Sequence, residues 1–366
     1  MSTRRRLSSE AGYSLIELMI SSAIMLTVTG AIFGLLNPAQ GTAQAQPEQS
    51  DLQQRMRIGS DTLFKELLMA GAGPYFGART GSLVNYFAPI VPRRLGLQSP
   101  DAKTVVRDDT ITLSYIPNSY SQTSIEDAMP PVSAEVKVTY PPNCPASKEL
   151  CGFEAGMTVL IFDQSGHFDT FTITEVQDSA GHLQHRGQQL NHTYDKGSTI
   201  TQIVSNTYYR DADTNQLVRY NGATETLPLV DNVVDLDFEY FGDINPPTQP
   251  KPAIGSNVAN CLYDAQGNYI AGMPVLAADE GSLARLQPDE LKNGPWCGSG
   301  DTEFDADLLR VRKVRVILRM QVSSPSLRGT DATFFANPGK SQGGNKLVPD
   351  YFVRFDVTPR NLNLTR

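Results

Sequence analysis

The sequence has few of the side chains that build soft-ligand metal centres, since its 366 residues include only 4 His and 4 Cys. It also lacks a basic excess: 31 Lys and Arg stand against 39 Asp and Glu, and the formal charge of -8 argues against a broad nucleic-acid footprint. Gly and Pro are too few and too irregularly placed for a collagen-like or low-complexity chain. We therefore expect an acidic globular protein of about two domains' length, with no cofactor, metal site, nucleic-acid partner or enzymatic activity.

The longest uncharged stretch lies close to the N-terminus. Residues 18–36 carry no charge, and three arginines at positions 4–6 precede them. As a helix, this stretch spans roughly 28 Å, close to the hydrocarbon thickness of a bilayer. Because positive flanks stay in the cytoplasm, the pattern predicts a membrane-spanning helix with the rest of the chain outside the cytoplasm. The alternative is a secretory signal peptide, cut near Ala43 or Ala45.

One carboxylate adjoins this apolar run. At membrane depth, Glu17 would cost about 2.5 to 3.5 kcal/mol unless a partner compensates its charge. Together with its neighbours, in residues 12–19 (GYSLIELM), it resembles the class III signal of type IV prepilins. The resemblance implies that prepilin peptidase cuts after Gly12 and methylates the new amino terminus at Tyr13. It also implies that Glu17 meets the terminal ammonium of a neighbouring subunit. Tyr13 departs mildly from the pattern, because the usual first residue is Phe.

Helical periodicity continues after the apolar run. Between residues 48 and 70, apolar side chains recur at spacings of three, four and seven, which predicts an amphipathic helix. Gly71 and Gly73 predict its end. Pro38 predicts a kink or an interruption between the apolar and the amphipathic parts.

From about residue 105 the apolar period changes to two. This period predicts strands at 110–116, 134–140, 157–162 and 168–174. Residues 206–210 and 216–220 flank an Asp/Asn-rich turn at 211–215, which predicts a hairpin. Calcium binding at that turn is the alternative, although an EF-hand needs Gly at its sixth place and Glu at its twelfth, where this chain has Gln216 and Gly222.

Two later segments carry opposite charges on their polar faces. Residues 234–240 alternate apolar side chains with Asp235, Asp237 and Glu239, and residues 314–322 alternate them with Arg315, Ile317, Arg319 and Gln321. Opposite charges on neighbouring strands stabilise a sheet by roughly 0.2 to 1 kcal/mol for each pair. We predict that the two segments pair, as a structural feature.

The stretch between these strands, residues 242–307, is too long for a bare loop and is rich in Pro, Gly, Asn and acidic residues. It contains Cys261 and Cys297, whereas Cys144 and Cys151 lie seven apart in an earlier polar loop. Export would permit disulfides, and of the three possible connectivities we favour the nearest pairs, Cys144 with Cys151 and Cys261 with Cys297. The second bridge would make 242–307 an ordered lobe, which either contacts a partner or surface or is a solvated decoration.

Histidines and acidic pairs give little indication of catalysis. His182, His185 and His192 form a loose cluster in a Gly/Gln-rich stretch, which we interpret as a polar loop, with metal binding as the alternative. We interpret Asp305 and Asp307 as solvated surface acids.

The resemblance extends beyond the leader. Residues 49–73, the hairpin and the two charged segments look like PilW-type minor pilins, and somewhat like the J-type pseudopilins of type II secretion. The implied fold is α+β: a long N-terminal membrane or filament helix, then a mainly antiparallel β-sheet head with an inserted loop lobe. The implied segments are a leader, 1–12; the N-terminal helix, 13–73, transmembrane at 13–37 and amphipathic at 48–70; a β-rich head, 74–241; the insertion, 242–307; and the C-terminal strands of the head, 308–366.

The implied function is that of a low-abundance structural subunit in the priming or tip complex of a type IV pilus. Its expected partners are other major and minor pilins, prepilin peptidase and the inner-membrane assembly platform. Its expected location is the inner membrane, with a periplasmic head, before assembly and the pilus or cell surface afterwards. The alternatives are a minor pseudopilin of type II secretion, a filament-tip adhesin that binds through 242–307, and a membrane-tethered periplasmic hydrolase.

Overall fold

The computed structural model describes residues 12–73, 83–96, 101–102, 105–117, 121–141, 144, 147–340 and 346–363, with no side chains described for 36–40. These residues form an N-terminal apolar helix and a mainly antiparallel β-sheet body, an α+β fold. The chain divides into two compact units. The first holds residues up to 53 and 321–350, and the second holds 54–320 and 351–366.

One helix, α1, covers Leu15–Met69. The prediction that Pro38 interrupts it is wrong, because the helical backbone continues through this position. A proline removes one N–H donor and clashes locally, and the strongly helical segments on both sides outweigh that cost here. Gly71 closes the helix with a left-handed φ of 70°, as predicted. A Cβ at Gly71 would lie 2.7 Å from Val84 Cγ1, so this position requires glycine.

Alternating apolar residues form eighteen strands within the described residues. In chain order they are β1 (Ile90–Pro92), β2 (Thr110–Tyr115), β3 (Gln122–Ser124), β4 (Glu135–Lys137), β5 (Thr158–Phe162), β6 (Phe168–Thr172), β7 (Glu175–Gln177), β8 (His182–Gln184), β9 (Thr199–Gln202), β10 (Val204–Asp211), β11 (Gln216–Tyr220), β12 (Thr226–Asp231), β13 (Val233–Asp243), β14 (Leu283–Leu286), β15 (Trp296–Cys297), β16 (Phe304–Asp305), β17 (Val311–Met320) and β18 (Tyr351–Val357).

Short 3₁₀ turns connect several of these strands. They lie at Leu83–Asn85, Asp178–Ala180, Glu290–Lys292, Gly300–Thr302, Ala306–Arg310, Pro325–Leu327 and Arg360–Asn363.

All registered strand pairs are antiparallel. The sheets run β1-β2-β10-β11-β12, β3-β9-β5-β6, β4-β8-β7, β15-β16 and β14-β13-β17-β18. The predicted hairpin is β10 with β11, in register from Thr207 opposite Tyr220 to Asp211 opposite Gln216. Its turn is closed by Asp211 Oδ1, which accepts the Asp213 N–H at 2.9 Å and the Thr214 N–H at 3.3 Å.

The two charged segments pair as predicted, as β13 and β17. Glu239 lies opposite Arg315 and Asp235 lies opposite Arg319. Their other faces are apolar and buried, with Phe238, Val316 and Leu318 at 0% exposure. Part of residues 242–307 belongs to this same sheet, because β14 pairs with the end of β13. The predicted inserted lobe is therefore not confirmed as a unit separate from the sheet.

Apolar side chains pack together in several places among the described residues of the second unit. The C-terminal part of α1 packs on the β13–β17 sheet, where a Cβ at Gly59 would lie 3.0 Å from Met320 Cε and the Phe64 ring centroid lies 6.3 Å from that of Phe355. Another such place lies among β3 to β9 and includes Val159, Phe171 and Tyr194, which are almost fully buried. In the first unit, residues 321–350 are tied together where Gln321 Nε2 donates to Asp350 Oδ1 at 3.0 Å.

Candidate functional site

The segment that carries the prepilin-like signal lies at the start of α1. Gly12, Tyr13 and Ser14 precede the first helical residue, Leu15, and Tyr13 is 91% exposed. The remainder of the predicted leader, residues 1–11, lies outside the described residues. The structure thus places the predicted processing residues on an accessible, non-helical segment just before the helix.

Glu17 makes a local contact that the sequence analysis missed. The Ser14 N–H donates to Glu17 Oε2 at 2.9 Å, and the Ile16 N–H lies 3.4 Å from Ser14 Oγ. The Glu17 side chain thus makes its half of a capping box, while the Ser14 hydroxyl caps the N–H of the second helical residue instead of the third. The carboxylate also lies at the positive end of the helix dipole. The spacing in residues 14–17 was the signal that could have revealed this cap.

The helix that follows is apolar enough to cross a membrane. The window Leu15–Leu35 has the length and composition of a membrane span, and its side chains are exposed. Two of its hydroxyl groups are satisfied within the helix, because Ser22 Oγ donates to Leu18 O at 2.8 Å and Thr27 Oγ1 donates to Ile24 O at 2.8 Å. By length and composition, this helix has the features that membrane anchors and signal sequences share, and its exposed apolar side chains suit an apolar environment.

The four cysteines lie in two pairs at disulfide distance. The Cα atoms of Cys144 and Cys151 are 5.5 Å apart, and those of Cys261 and Cys297 are 4.9 Å apart. These are the two pairs favoured from the sequence. Both separations fall within the range of protein disulfides.

An ion-pair network covers the polar face of the β13–β17–β18 sheet. Arg315 lies 2.6 Å from both Glu280 Oε1 and Asp356 Oδ1, and 3.3 Å from Glu239 Oε2. Lys313 contacts Glu280 and Asp356 as well. These two cations lower the pKa of Glu280 and of Asp356 below the ordinary values, chiefly through hydrogen bonds to the carboxylates. Because each cation is matched by carboxylates, the network is structural.

Asp305 and Asp307 are buried, so their interpretation as solvated surface acids is wrong. Asp305 accepts the backbone N–H groups of Gly294 and Asp307, and Asp307 Oδ1 lies 2.6 Å from Arg310 Nε. Arg310 is itself fully buried and donates to Pro274 O at 2.8 Å. Burial, helped by Asp305, raises the pKa of Asp307 to about 7. The buried Arg310 guanidinium thus lies between the Asp307 carboxyl group and the backbone carbonyls of Ile244 and Pro274.

The histidines group differently from the expectation. His182 Nδ1 lies 3.2 Å from Glu135 Oε1, and His185 stacks on the Phe171 ring at 4.6 Å between centroids. His192 instead meets His167, which the sequence analysis did not consider, at 3.4 Å between ring centroids. Asp163 joins them, and the three side chains place one ligand atom each within 4.8 Å of the others. Burial lowers the pKa of His192, and the neighbouring His167 ring lowers it further.

Two other features of the chain resemble chemical sites. One cleft, of about 550 Å³, is lined by Asp243 and Arg312, whose charged groups pair at 2.8 Å. Residues 339–343 (GKSQG) have the Gly-x-Ser-x-Gly spacing of a nucleophile elbow. That motif requires a strand before the serine and a helix after it. Residues 331–340 contain no strand, and Ser341 lies outside the described residues.

Comparison with protein-family models finds no match for this chain, and comparison with curated protein sequences finds none either.

Proposed function

We propose that this chain is a PilW-like minor subunit of a type IV pilus, which primes assembly of the filament or caps it. The proposal rests on one observation: the prepilin-like motif, residues 12–19, lies at the start of an exposed apolar helix, Leu15–Leu35. The proposed cleavage position, after Gly12, lies just before a helix whose exposed apolar side chains require an apolar environment. The bilayer provides that environment before assembly, and neighbouring subunit helices provide it in the filament.

The body of the chain fits the same role. A helix followed by a mainly antiparallel β body is the arrangement expected of a pilin that carries a head on a membrane-derived helix. Before assembly, the head would lie in the periplasm and the helix in the inner membrane. After assembly, the chain would lie in the pilus, beside other major and minor pilins.

Glu17 has two physical roles to separate. In the single chain, its carboxylate caps α1 through the Ser14 N–H. In a filament, it would also compensate the ammonium at Tyr13 of a neighbouring subunit, which offsets the cost of placing a charge at membrane depth. The local cap needs only an acceptor oxygen, whereas the pairing needs the negative charge.

Intact-mass and N-terminal analysis of the membrane-extracted protein tests the processing step. In cells that contain prepilin peptidase, we expect a chain that begins at methylated Tyr13. In cells without the enzyme, we expect the full-length chain. A Gly12→Leu variant should remain uncleaved in both strains. An uncleaved wild-type chain, or one cut near Ala45, would refute the proposal and favour a tethered or secreted β-rich protein.

A set of substitutions at the helix start tests the pairing. Glu17→Val should leave processing largely intact and reduce incorporation into sheared filaments. Glu17→Gln keeps an oxygen that can accept the Ser14 N–H but removes the charge, so we expect the same loss. Ser14→Ala keeps the charge and removes the capping hydroxyl, so we expect near-normal incorporation. Normal incorporation of Glu17→Gln would show that the cap alone accounts for this carboxylate.

Two alternatives keep the same processing step. A minor pseudopilin of type II secretion would leave pili intact when deleted and would abolish protein export instead. A tip adhesin would leave filament number unchanged and lose surface binding when the exposed residues 266–270 of the insertion are replaced by a Gly/Ser linker. The proposed role predicts fewer filaments on deletion of the whole gene.

A further inference from the structure

Two of the residues that meet in the histidine cluster belong to one β-hairpin. Strand β5 ends at Phe162, opposite Phe168 at the start of β6, so Asp163 and His167 are the first and last residues of the connecting loop. The Asp163 N–H donates to His167 O at 3.1 Å. Asp163 Oδ1 accepts the Ser165 N–H at 2.8 Å, and Oδ2 lies 3.3 Å from His167 Nδ1. The turn therefore presents a carboxylate and an imidazole side by side.

The third residue, His192, is held by a buried carboxylate. Asp169 is 4% exposed, and it accepts the Asn191 N–H at 3.0 Å and the Tyr194 hydroxyl at 2.9 Å. The Tyr194 ring meets the His192 ring edge-on, with 5.7 Å between centroids. These contacts fix residues 191–194 beside the hairpin loop. As a result, His192 approaches His167 from a different part of the chain.

We propose that Asp163, His167 and His192 bind one divalent transition-metal ion of the Zn²⁺ type. Two imidazole nitrogens and one carboxylate oxygen are a donor set that such ions take. The ligand atoms lie within 4.8 Å of one another. A tetrahedral ion with bonds of about 2.0 to 2.1 Å needs ligand atoms about 3.4 Å apart, so rotation of the side chains has to shorten the separations by up to about 1.4 Å. The Asp163 and His167 side chains are 18% and 22% exposed, which leaves room for water as a fourth ligand.

The loop that carries two of the ligands is braced on its other side. Gly166 has a φ of 85°, and a Cβ there would lie 3.2 Å from Cys297 Cβ. Gln164 Oε1 accepts the Ala253 N–H at 2.9 Å, and Gln164 O accepts from Asn260 Nδ2 at 3.0 Å. The loop is thus fixed by the Cys261 to Cys297 bridge and by nearby backbone. A bound ion would connect this loop to residues 191–194. Because the ion would bind the folded head and not the unfolded chain, it would stabilise the folded state.

The competing explanation is a simple ion pair between His167 and Asp163, on which His192 stacks. That explanation requires no metal and predicts equal behaviour of the protein with a chelator or with Zn²⁺. The inference is independent of the filament role, since it concerns the head alone.

The test measures metal binding by the full chain in mild detergent, purified without a histidine tag. After dialysis against Zn²⁺ and then buffer, we expect about one equivalent of zinc by elemental analysis. Zinc should also raise the thermal unfolding midpoint compared with the chelator-treated protein. His167→Gln and His192→Gln should each weaken binding at least about tenfold. His182→Gln is the matched control, because His182 also lies against a carboxylate, at 3.2 Å from Glu135, and should change nothing.

Co²⁺ serves as the second probe, in case a variant fails to fold. The unaltered chain should give the strong visible absorption of low-coordinate Co²⁺ with nitrogen and oxygen ligands, and Zn²⁺ should displace it at one equivalent. Absence of stoichiometric zinc and of this absorption would overturn the proposal. Binding that His182→Gln weakens as much as His167→Gln would overturn it as well, because it would indicate general histidine affinity.

Discussion

Replacing Arg315 with Met isolates the electrostatic contribution of the network on the β13–β17–β18 sheet. The Arg315 side chain is 13% exposed, lies above the Phe241 ring at 4.8 Å, and contacts carboxylates of Glu239, Glu280 and Asp356. Methionine retains the apolar stem over the ring and removes the guanidinium. The substitution therefore changes the packing little, but it removes one positive charge that stabilises three negatively charged carboxylates.

The expected magnitude follows from what each carboxylate retains. Glu239 still lies 2.7 Å from Arg285 and 3.2 Å from Arg354, and Asp356 still lies 3.1 Å from Lys313. Breaking a buried pair completely costs about 3 to 5 kcal/mol, and an exposed pair contributes about 0 to 1. The network lies between these limits, so Arg315→Met should lower the free energy of unfolding by about 2 kcal/mol at pH 7.

The deficit should depend on pH. The network lowers the folded-state pKa of Glu280 and of Asp356, so its stabilisation is present above the ordinary carboxyl pKa. It is lost as the pH falls through the lowered folded pKa, where both carboxylates take up protons. The difference between Arg315→Met and wild type should therefore shrink towards pH 3.

Urea unfolding of the full chain in detergent measures these differences. Trp296, the only tryptophan, reports by fluorescence, and far-UV circular dichroism checks that the transition is two-state. Arg57→Met is the matched control, because its pair with Asp61 spans 3.8 Å on an exposed helix face and the Arg57 side chain is 83% exposed. That control should change stability by less than about 0.5 kcal/mol. A loss below that value in Arg315→Met, or a deficit that persists at pH 3, would refute the reasoning.

The same assay checks three further expectations. Leu318→Ala opens a cavity in the fully buried face of β17 and should cost about 2 to 5 kcal/mol, whereas a change below about 1 would mean that the sheet repacks around it. Gly71→Ala places a Cβ against Val84 at a left-handed φ and should cost about 1 to 3 kcal/mol, visible as a lower urea midpoint. Asp307 has a folded pKa of about 7, above its unfolded value, so its stabilisation is complete below about pH 4 and declines as the pH rises to 7. Asp307→Asn should reduce this loss of stability with rising pH, and an unchanged pH profile would contradict the raised pKa of Asp307.

Features set by local patterns were predictable from the sequence. The alternation in β13 and β17, together with opposite charges on their polar faces, was enough to predict that the two strands pair, and the fold sets Glu239 opposite Arg315. The hairpin of β10 and β11 followed from the turn residues at 211–215. The end of α1 at Gly71 followed from the need for a left-handed residue there. In each case, the signal lies within neighbouring residues or in two matching segments.

Features set by distant packing were not predictable in the same way. His167 and His192 are separated along the chain, and only the folding of residues 191–194 against the β5–β6 hairpin brings them together. In the sequence, Asp305 and Asp307 look like surface acids. In the structure they are buried, where Arg310 contacts Asp307 and the Asp307 N–H donates to Asp305. The composition of residues 242–307 did not indicate which of them belong to the head, and the structure shows that β14 pairs with β13.

The bridge between Cys261 and Cys297 has a consequence for the rate of folding. β13 ends at Asp243 and β17 begins at Val311, so their pairing must close a long connection, and the bridge spans 36 residues within it. If the bridge forms first, it removes about half of the free loop, and each halving lowers the entropic cost of closure by about 0.6 kcal/mol. An oxidised chain should therefore assemble its central strand pair roughly threefold faster than a reduced one. The order in which the bridge and the sheet form then decides how long the apolar faces of both strands stay open to aggregation.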